Sequence, residues 1–125
     1  MKPTPYETLG GEAPLRALVH RFYELMDTLP EAQGIRKLHL KNLARSEEKL
    51  FMFLSGWMDG PPLYVQKYGD PQMRARHLPF PIGDAERDQW LLCMRRAMAE
   101  CVADETLRKF LDEKLTGLAD FLRNK

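Results

Sequence analysis

The chain predicts an all-α fold, and three observations carry that prediction. Apolar residues recur at helical spacing through four long segments. β-branched aliphatics are scarce, with three Val and two Ile in 125 residues, and no stretch alternates apolar with polar residues as a half-buried strand does. Clusters of Gly and Pro (Gly10-Gly11, Gly60-Pro61-Pro62, Pro79 to Gly83) fall between the periodic segments and punctuate them. The expected architecture is four substantial helices with shorter pieces between them.

Pro5 to Leu9 forms little more than one turn before Gly10-Gly11 cuts it off. From Glu12 to Leu29, Leu15, Leu18, Val19, Phe22, Leu25, Met26 and Leu29 keep the i, i+3, i+4, i+7 rule, with Pro14 in the first turn. Pro30 to Ala44 is a long connection. Arg45 to Trp57 resumes the helical pattern through Leu50, Phe53, Leu54 and Trp57. Gly60 to Gly83 is a second long connection, rich in proline. Within it Asp70 can cap and Pro71 can start a helix of about two turns ending at His77, because Pro79 disfavours helical geometry at Leu78. After Gly83, Asp84 is the expected N-cap of a helix whose stripe is Trp90, Leu91, Met94, Ala97, Met98 and Cys101. The last helix carries Leu107, Phe110, Leu111, Leu115, Leu118, Phe121 and Leu122.

Length and composition set the outer limits. A chain of 125 residues, 44% hydrophobic, suits one domain with a real but thin core. Nineteen basic residues against eighteen acidic leave a net charge of +1, which gives no electrostatic case for nucleic acid or an anionic membrane surface. No apolar run approaches the roughly 20 residues that span a bilayer. The N-terminal residues have no secretion-signal pattern, so a cytoplasmic setting is expected. Cys93 and Cys101 stand too far apart along one helix for a disulfide and are expected to be buried thiols.

Connections this long usually carry function, and the second holds the most informative segment, Asp70 to Pro81. A histidine at the end of a short, proline-bounded helix, with Arg74 and Arg76 just before it, is what a single axial metal ligand needs. Neutral imidazole ligates haem iron from one side, and arginines can pair with carboxylates at the rim. On residues alone the same segment also reads as an exposed His in a basic turn. Tyr23 and Trp90 are large rings whose O–H and N–H need partners, whether from a pocket ligand or from backbone carbonyls. The segment from Glu47 to Trp57 has an apolar side wider than packing on one neighbour requires. It suits a flat cofactor with Lys49 at the rim, or a central core position. His20, His39 and His77 make no zinc spacing, and no nucleophile elbow or phosphate-binding glycine loop is present.

Taken together these pieces resemble the truncated haemoglobins of the second group. The matching residues are Tyr6 to Gly11, Arg21-Phe22-Tyr23, Glu47 to Trp57, Asp59-Gly60-Pro61, Arg74 to Phe80, and Glu86 to Met94. Their order and spacing, with Trp90 after the Arg-His-Leu-Pro-Phe run, carry the likeness over nearly the whole chain. The resemblance implies a two-over-two helical sandwich around haem b with His77 as proximal ligand. It makes Tyr23 and Trp90 the distal donors, and places His39 on the distal side within reach of the ligand. Ser46, Leu50 and Phe53 become distal-wall residues. Lys49, Tyr64, Arg76 and Phe80 become the cofactor contacts.

The function this implies is tight binding of diatomic gases (oxygen, nitric oxide, carbon monoxide). Two or three distal donors, each worth about 1.5 to 3 kcal/mol to a charged acceptor, suit slow release and ligand chemistry or sensing rather than bulk oxygen transport. A peroxidase-like or nitric oxide dioxygenase enzyme, served by an external reductase, is the alternative. A cofactor-free helical interaction module is the reading from a different class. Monomer and homodimer both accord with the sequence.

Overall fold

The computed structural model describes residues 2–125. Those residues form α1 (Pro5–Leu9), α2 (Glu12–Thr28), a 3-10 turn (Pro30–Ala32), α3 (Gln33–Arg36), α4 (Ala44–Trp57), α5 (Leu63–Tyr68), α6 (Met73–His77), α7 (Asp84–Cys101) and α8 (Glu105–Leu122), with no strand among them. The long expected helices are all present. Both proline-rich connections turn out to contain short helices.

Local chemistry explains the boundaries. Thr4 and Glu7 cap α1 reciprocally, through Glu7 N–H to Thr4 Oγ1 at 3.1 Å and Thr4 N–H to Glu7 Oε1 at 3.0 Å. Gly10 ends it at φ 115°, a left-handed geometry that glycine adopts without strain. Asn42 Oδ1 accepts from Ala44 N–H at the start of α4, and Asp104 caps α8 through Leu107 N–H at 2.8 Å.

Two expectations at helix starts are corrected. Gly83, not Asp84, occupies the N-cap of α7, with its N–H donated to Glu86 Oε1 at 2.8 Å, while the Asp84 carboxylate pairs with Arg123 instead. The helix before His77 is shorter than about two turns and begins at Met73. Gln72 sits at φ 44°, outside helical geometry, and Asp70 accepts from Gln72 N–H in a local turn rather than capping a helix.

The core lies where α2 meets α7, the broadest contact in the molecule, with α4 laid on α2 and α8 on α7. This is the two-over-two layout. Leu15, Leu18, Val19, Phe22 and Met26 of α2 and Met94, Ala97 and Met98 of α7 are fully buried there. Cys93 is buried, Cys101 only half-buried, and both are free thiols. Phe110 and Phe121, expected in the α8 stripe, stand exposed, because α8 packs through Leu107, Leu111, Leu115 and Ala119.

Helix α4 departs furthest from its expected packing. The face expected in the core was Leu50, Phe53, Leu54 and Trp57. The structure buries Phe51, Met52, Leu54 and Ser55 against α2 and leaves Leu50, Phe53 and Trp57 half-buried. Burying Ser55 is tolerated because its hydroxyl donates to Pro61 O at 2.8 Å. The helix therefore has two apolar faces. α4 packs on α2 and α5 but makes no substantial contact with α6, α7 or α8, so its second, half-buried apolar face is left uncovered by those helices.

Candidate functional site: a slot between α4 and α6

The gap has two walls of different chemistry. On one side stands His77, the last residue of α6. Its Nδ1 lies 2.6 Å from Met73 O, the carbonyl one helical turn earlier. A carbonyl only accepts, so the ring proton is held on Nδ1 and the Nε2 lone pair is left free. Metal-ligating imidazoles are held in this way, through a hydrogen bond that fixes tautomer and ring orientation together.

Helix α6 buries none of its own residues, so hydrogen bonds must hold it. Arg74 Nη1 donates to Phe121 O at 2.7 Å. Asn124 Nδ2 donates to Phe80 O at 2.9 Å and to His77 O at 3.3 Å, while its Oδ1 accepts from Ile82 N–H at 3.0 Å. Asn124 was not among the residues expected from the sequence. A polar residue beside the C-terminus gives no periodic signal, and its role is visible only once the end of α8 meets the loop after His77.

The opposite wall collects Tyr23, Trp90 and His39. The Tyr23 and Trp90 rings both meet Phe22 edge-on, at centroid distances of 4.8 and 5.1 Å. Tyr23 is 6% exposed. Burial, with the Glu47 charge as a lesser cause, holds its phenol above its ordinary pKa, so it remains a donor. Among the described residues neither the Tyr23 hydroxyl nor the Trp90 indole N–H donates to a protein acceptor, and no fully buried side-chain donor lacks a partner, so neither polar tip is sealed in the core. His39 lies edge-on to Tyr23 at 5.9 Å, and its Nδ1 is 3.0 Å from Ile35 O. Burial lowers the His39 pKa below its usual value, outweighing the hydrogen bond to Ile35 O that raises it, with the charges of Arg36 and His77 as lesser lowering causes. Gln89, beside Trp90, accepts from Ile35 N–H at 2.7 Å and so ties α3, and with it the His39 turn, to α7.

Along the rim, cations from three elements meet two adjoining tyrosines whose rings are tilted at 45° to each other. Tyr64 and Tyr68 are 4.9 Å apart. Lys49 from α4 and Lys67 from α5 lie 5.3 and 5.4 Å from the Tyr68 ring, and Arg76 from α6 lies 5.8 Å from Tyr64. None of the three forms an ion pair among the described residues. Phe53 meets Tyr64 at 6.3 Å and closes the apolar side. Thus Lys49, Lys67 and Arg76 all lie against the Tyr64–Tyr68 pair, of which Lys67 and Tyr68 were not among the residues expected from the sequence. Ser46 and Leu50 are half-buried on α4, and Phe80 is 42% exposed.

A planar macrocycle with one axial ligand and carboxylates at one edge fits this set of groups. The second apolar face of α4, the bare Nε2 of His77, two unpaired donors and a cationic rim match its faces, its metal and its charged edge in turn. No three His, Cys, Asp or Glu side chains gather to hold a metal among the described residues. A helical sandwich with such a slot defines a globin.

The comparisons agree. The Bacterial-like globin family model matches residues 4–124. The group 2 truncated hemoglobin YjbI of Bacillus subtilis is 39% identical over 121 residues, covering 97% of this chain and 89% of that protein. Among solved structures, the group II 2-on-2 hemoglobin of Agrobacterium tumefaciens is 50% identical, with a TM-score of 0.97 over 98% of this chain and 95% of that one. The cold-adapted truncated hemoglobin of Pseudoalteromonas haloplanktis is 41% identical, with a TM-score of 0.96 over 98% and 99%. The chain belongs to the bacterial-like globins, within their group II truncated hemoglobins. Membership in this family implies haem.

Proposed function

We propose that the protein holds haem b through His77 alone and binds oxygen and related diatomic gases tightly, releasing them slowly. The observation that carries this reading is the His77 imidazole, locked by Met73 O with Nε2 bare, across from two donors that lack protein acceptors. Haem held by His77 would supply iron chemistry toward diatomic gases, and oxygen would take on more negative charge there than carbon monoxide.

The chain's own groups act on that charge. Tyr23 and Trp90 offer O–H and N–H from an apolar wall, where a hydrogen bond to a charged acceptor is worth about 1.5 to 3 kcal/mol. Phe22 between them fixes both rings, so little reorganises when a ligand arrives. Leu50 and Phe53 keep water from the α4 side, with Ser46 at its edge. Lys49, Tyr64 and Arg76 receive the propionates, Phe80 flanks the proximal side, and the reading includes Lys67 as a third cation. A relative of 37% identity, from Bacillus subtilis, is described as a truncated oxygen-avid haemoglobin, which supports high affinity here. We place the protein in the cytoplasm, with an external reductase keeping its iron in the gas-binding state.

The test is His77→Gly with and without free imidazole. The wild-type protein is expected to show the intense Soret band of haem, the variant to lose or shift it, and imidazole to restore it. A variant spectrum identical to wild type overturns the reading.

A further inference from the structure

The outer face of α8 has no covering helix in this chain. Its inner side packs on α7. On the outer side Thr106, Phe110, Glu113, Lys114, Gly117 and Phe121 form one stripe, roughly 22 Å long at 1.5 Å per residue. All six residues are exposed. Phe110 and Phe121, at 43% and 55%, are two of the few large apolar side chains the fold leaves outside. Each ring is touched by a cation, Phe110 by Lys114 at 5.8 Å and Phe121 by Arg74 of α6 at 5.7 Å. The rest of both rings meets solvent.

The charges on this stripe differ from those elsewhere on the helix. Glu105 pairs with Lys109, Asp112 with Arg95 and Asp120 with Arg87, and Arg108 donates to the Val102 carbonyl. Among the described residues, Glu113 and Lys114 are the two charged side chains of α8 with neither an ion pair nor a hydrogen bond. They are adjacent and of opposite sign. Gly117 is equally unexplained by the fold. A glycine inside a helix weakens it relative to alanine, yet a Cβ at 117 would meet nothing within 4 Å. The chain's own packing does not require the gap.

These features complement one another when the stripe meets itself. We propose that the outer face of α8 is a self-association surface, on which a second copy lays its own α8 antiparallel about a twofold axis between residues 113 and 114. In that register Glu113 of each copy faces Lys114 of the other, so both unpaired charges are answered twice over. Phe110 lies over Gly117 of the second copy, where the missing Cβ lets the helices approach to about 8 Å. Phe121 falls beside Thr106 of the second copy. The contact is isologous and closes at two copies. A lipid surface or an apolar peptide would use the rings but leave the Glu113–Lys114 pair unanswered. One helix face per copy buries less than the roughly 1,200 Å² of a standard interface, so the dimer is weak and reversible.

The experiment is sedimentation equilibrium of the purified protein from about 10 µM to 1 mM, the range in which a small interface associates. The average mass is expected to climb from that of one 14.6 kDa chain toward twice that value. Glu113→Lys and Lys114→Glu, each alone, set like charges opposite one another and are expected to weaken association at least about tenfold. An equal mixture of the two variants is expected to recover it, because one copy then offers two lysines and the other two glutamates. Gly117→Gln is expected to abolish the dimer while keeping or raising the thermal midpoint, which separates a blocked surface from a damaged fold. A mass that stays at one chain throughout overturns the proposal. So does undiminished association in any of the three variants, or a mixture that fails to recover it. None of these outcomes depends on haem.

Discussion

Tyr23 and Trp90 show how much a single side chain carries here. Each is an aromatic donor held in an apolar wall without a protein acceptor, so removing the polar atom while keeping the ring isolates the hydrogen bond. Tyr23→Phe and Trp90→Phe are each expected to speed oxygen dissociation about tenfold to a hundredfold, with little change in carbon monoxide release, measured by ligand-exchange kinetics. Oxygen release unchanged in both variants removes the proposed donors. Cys93 makes a different prediction. It is fully buried in the α2–α7 core, and burial pushes its thiol up to about 11 from 9.0. The unfolded chain releases this proton first as pH rises. Stability from Cys93 is therefore complete below pH 9.0 and lost as pH climbs toward about 11. Denaturant titrations of Cys93→Ala are expected to show a shallower alkaline loss than wild type across that window.

At the scale of elements, α6 is a helix of five residues with no buried side chain, too short to be stable by propensity. Its position is set by hydrogen bonds from the end of α8, and Asn124 makes the largest share of them. Asn124→Ala is expected to raise the rate of haem transfer to an apomyoglobin acceptor by about thirtyfold to a hundredfold, since two or three net bonds of roughly 1 kcal/mol each are lost. The folded, haem-free chain should keep its helix content by circular dichroism. Equal transfer rates would mean that α6 is held in some other way. Helix α4 shows why periodicity alone could not orient an element. Leu50, Phe53, Leu54 and Trp57 keep helical spacing, but so do Phe51, Met52, Leu54 and Ser55 when a serine is allowed in the core. The face that turned inward includes Ser55, whose hydroxyl is satisfied by the carbonyl of Pro61 brought from the following loop.

For the whole molecule, the haem proposed above is what would cover the half-buried second face of α4. Ligand bound to the folded state alone adds RT ln(1 + [L]/Kd) to stability. Removing haem by acid–butanone extraction is therefore expected to lower the thermal midpoint by about 10 °C or more, given that 1 kcal/mol moves a domain of this size by roughly 3 to 6 °C. Adding haem back should restore the original value. Coincident melting of the two forms would mean that the slot contributes nothing to folding. No helix among the described residues is long and apolar enough to cross a membrane.

The all-helical class, the order of the long helices and the candidacy of His77, Tyr23 and Trp90 were legible in the sequence, because they rest on properties local to the chain. Helical periodicity, proline limits and the polar tips of aromatic rings are written within a few residues of where they act. The tertiary structure alone decided which face of α4 turned inward, that Gly83 and not Asp84 starts α7, and that Asn124 grips the His77 loop. It also decided that both His39 and His77 keep Nε2 bare. Each of these depends on a carbonyl, an amide or a neighbouring helix brought from elsewhere in the chain, and a backbone group's partner has no signature in the sequence until folding supplies it.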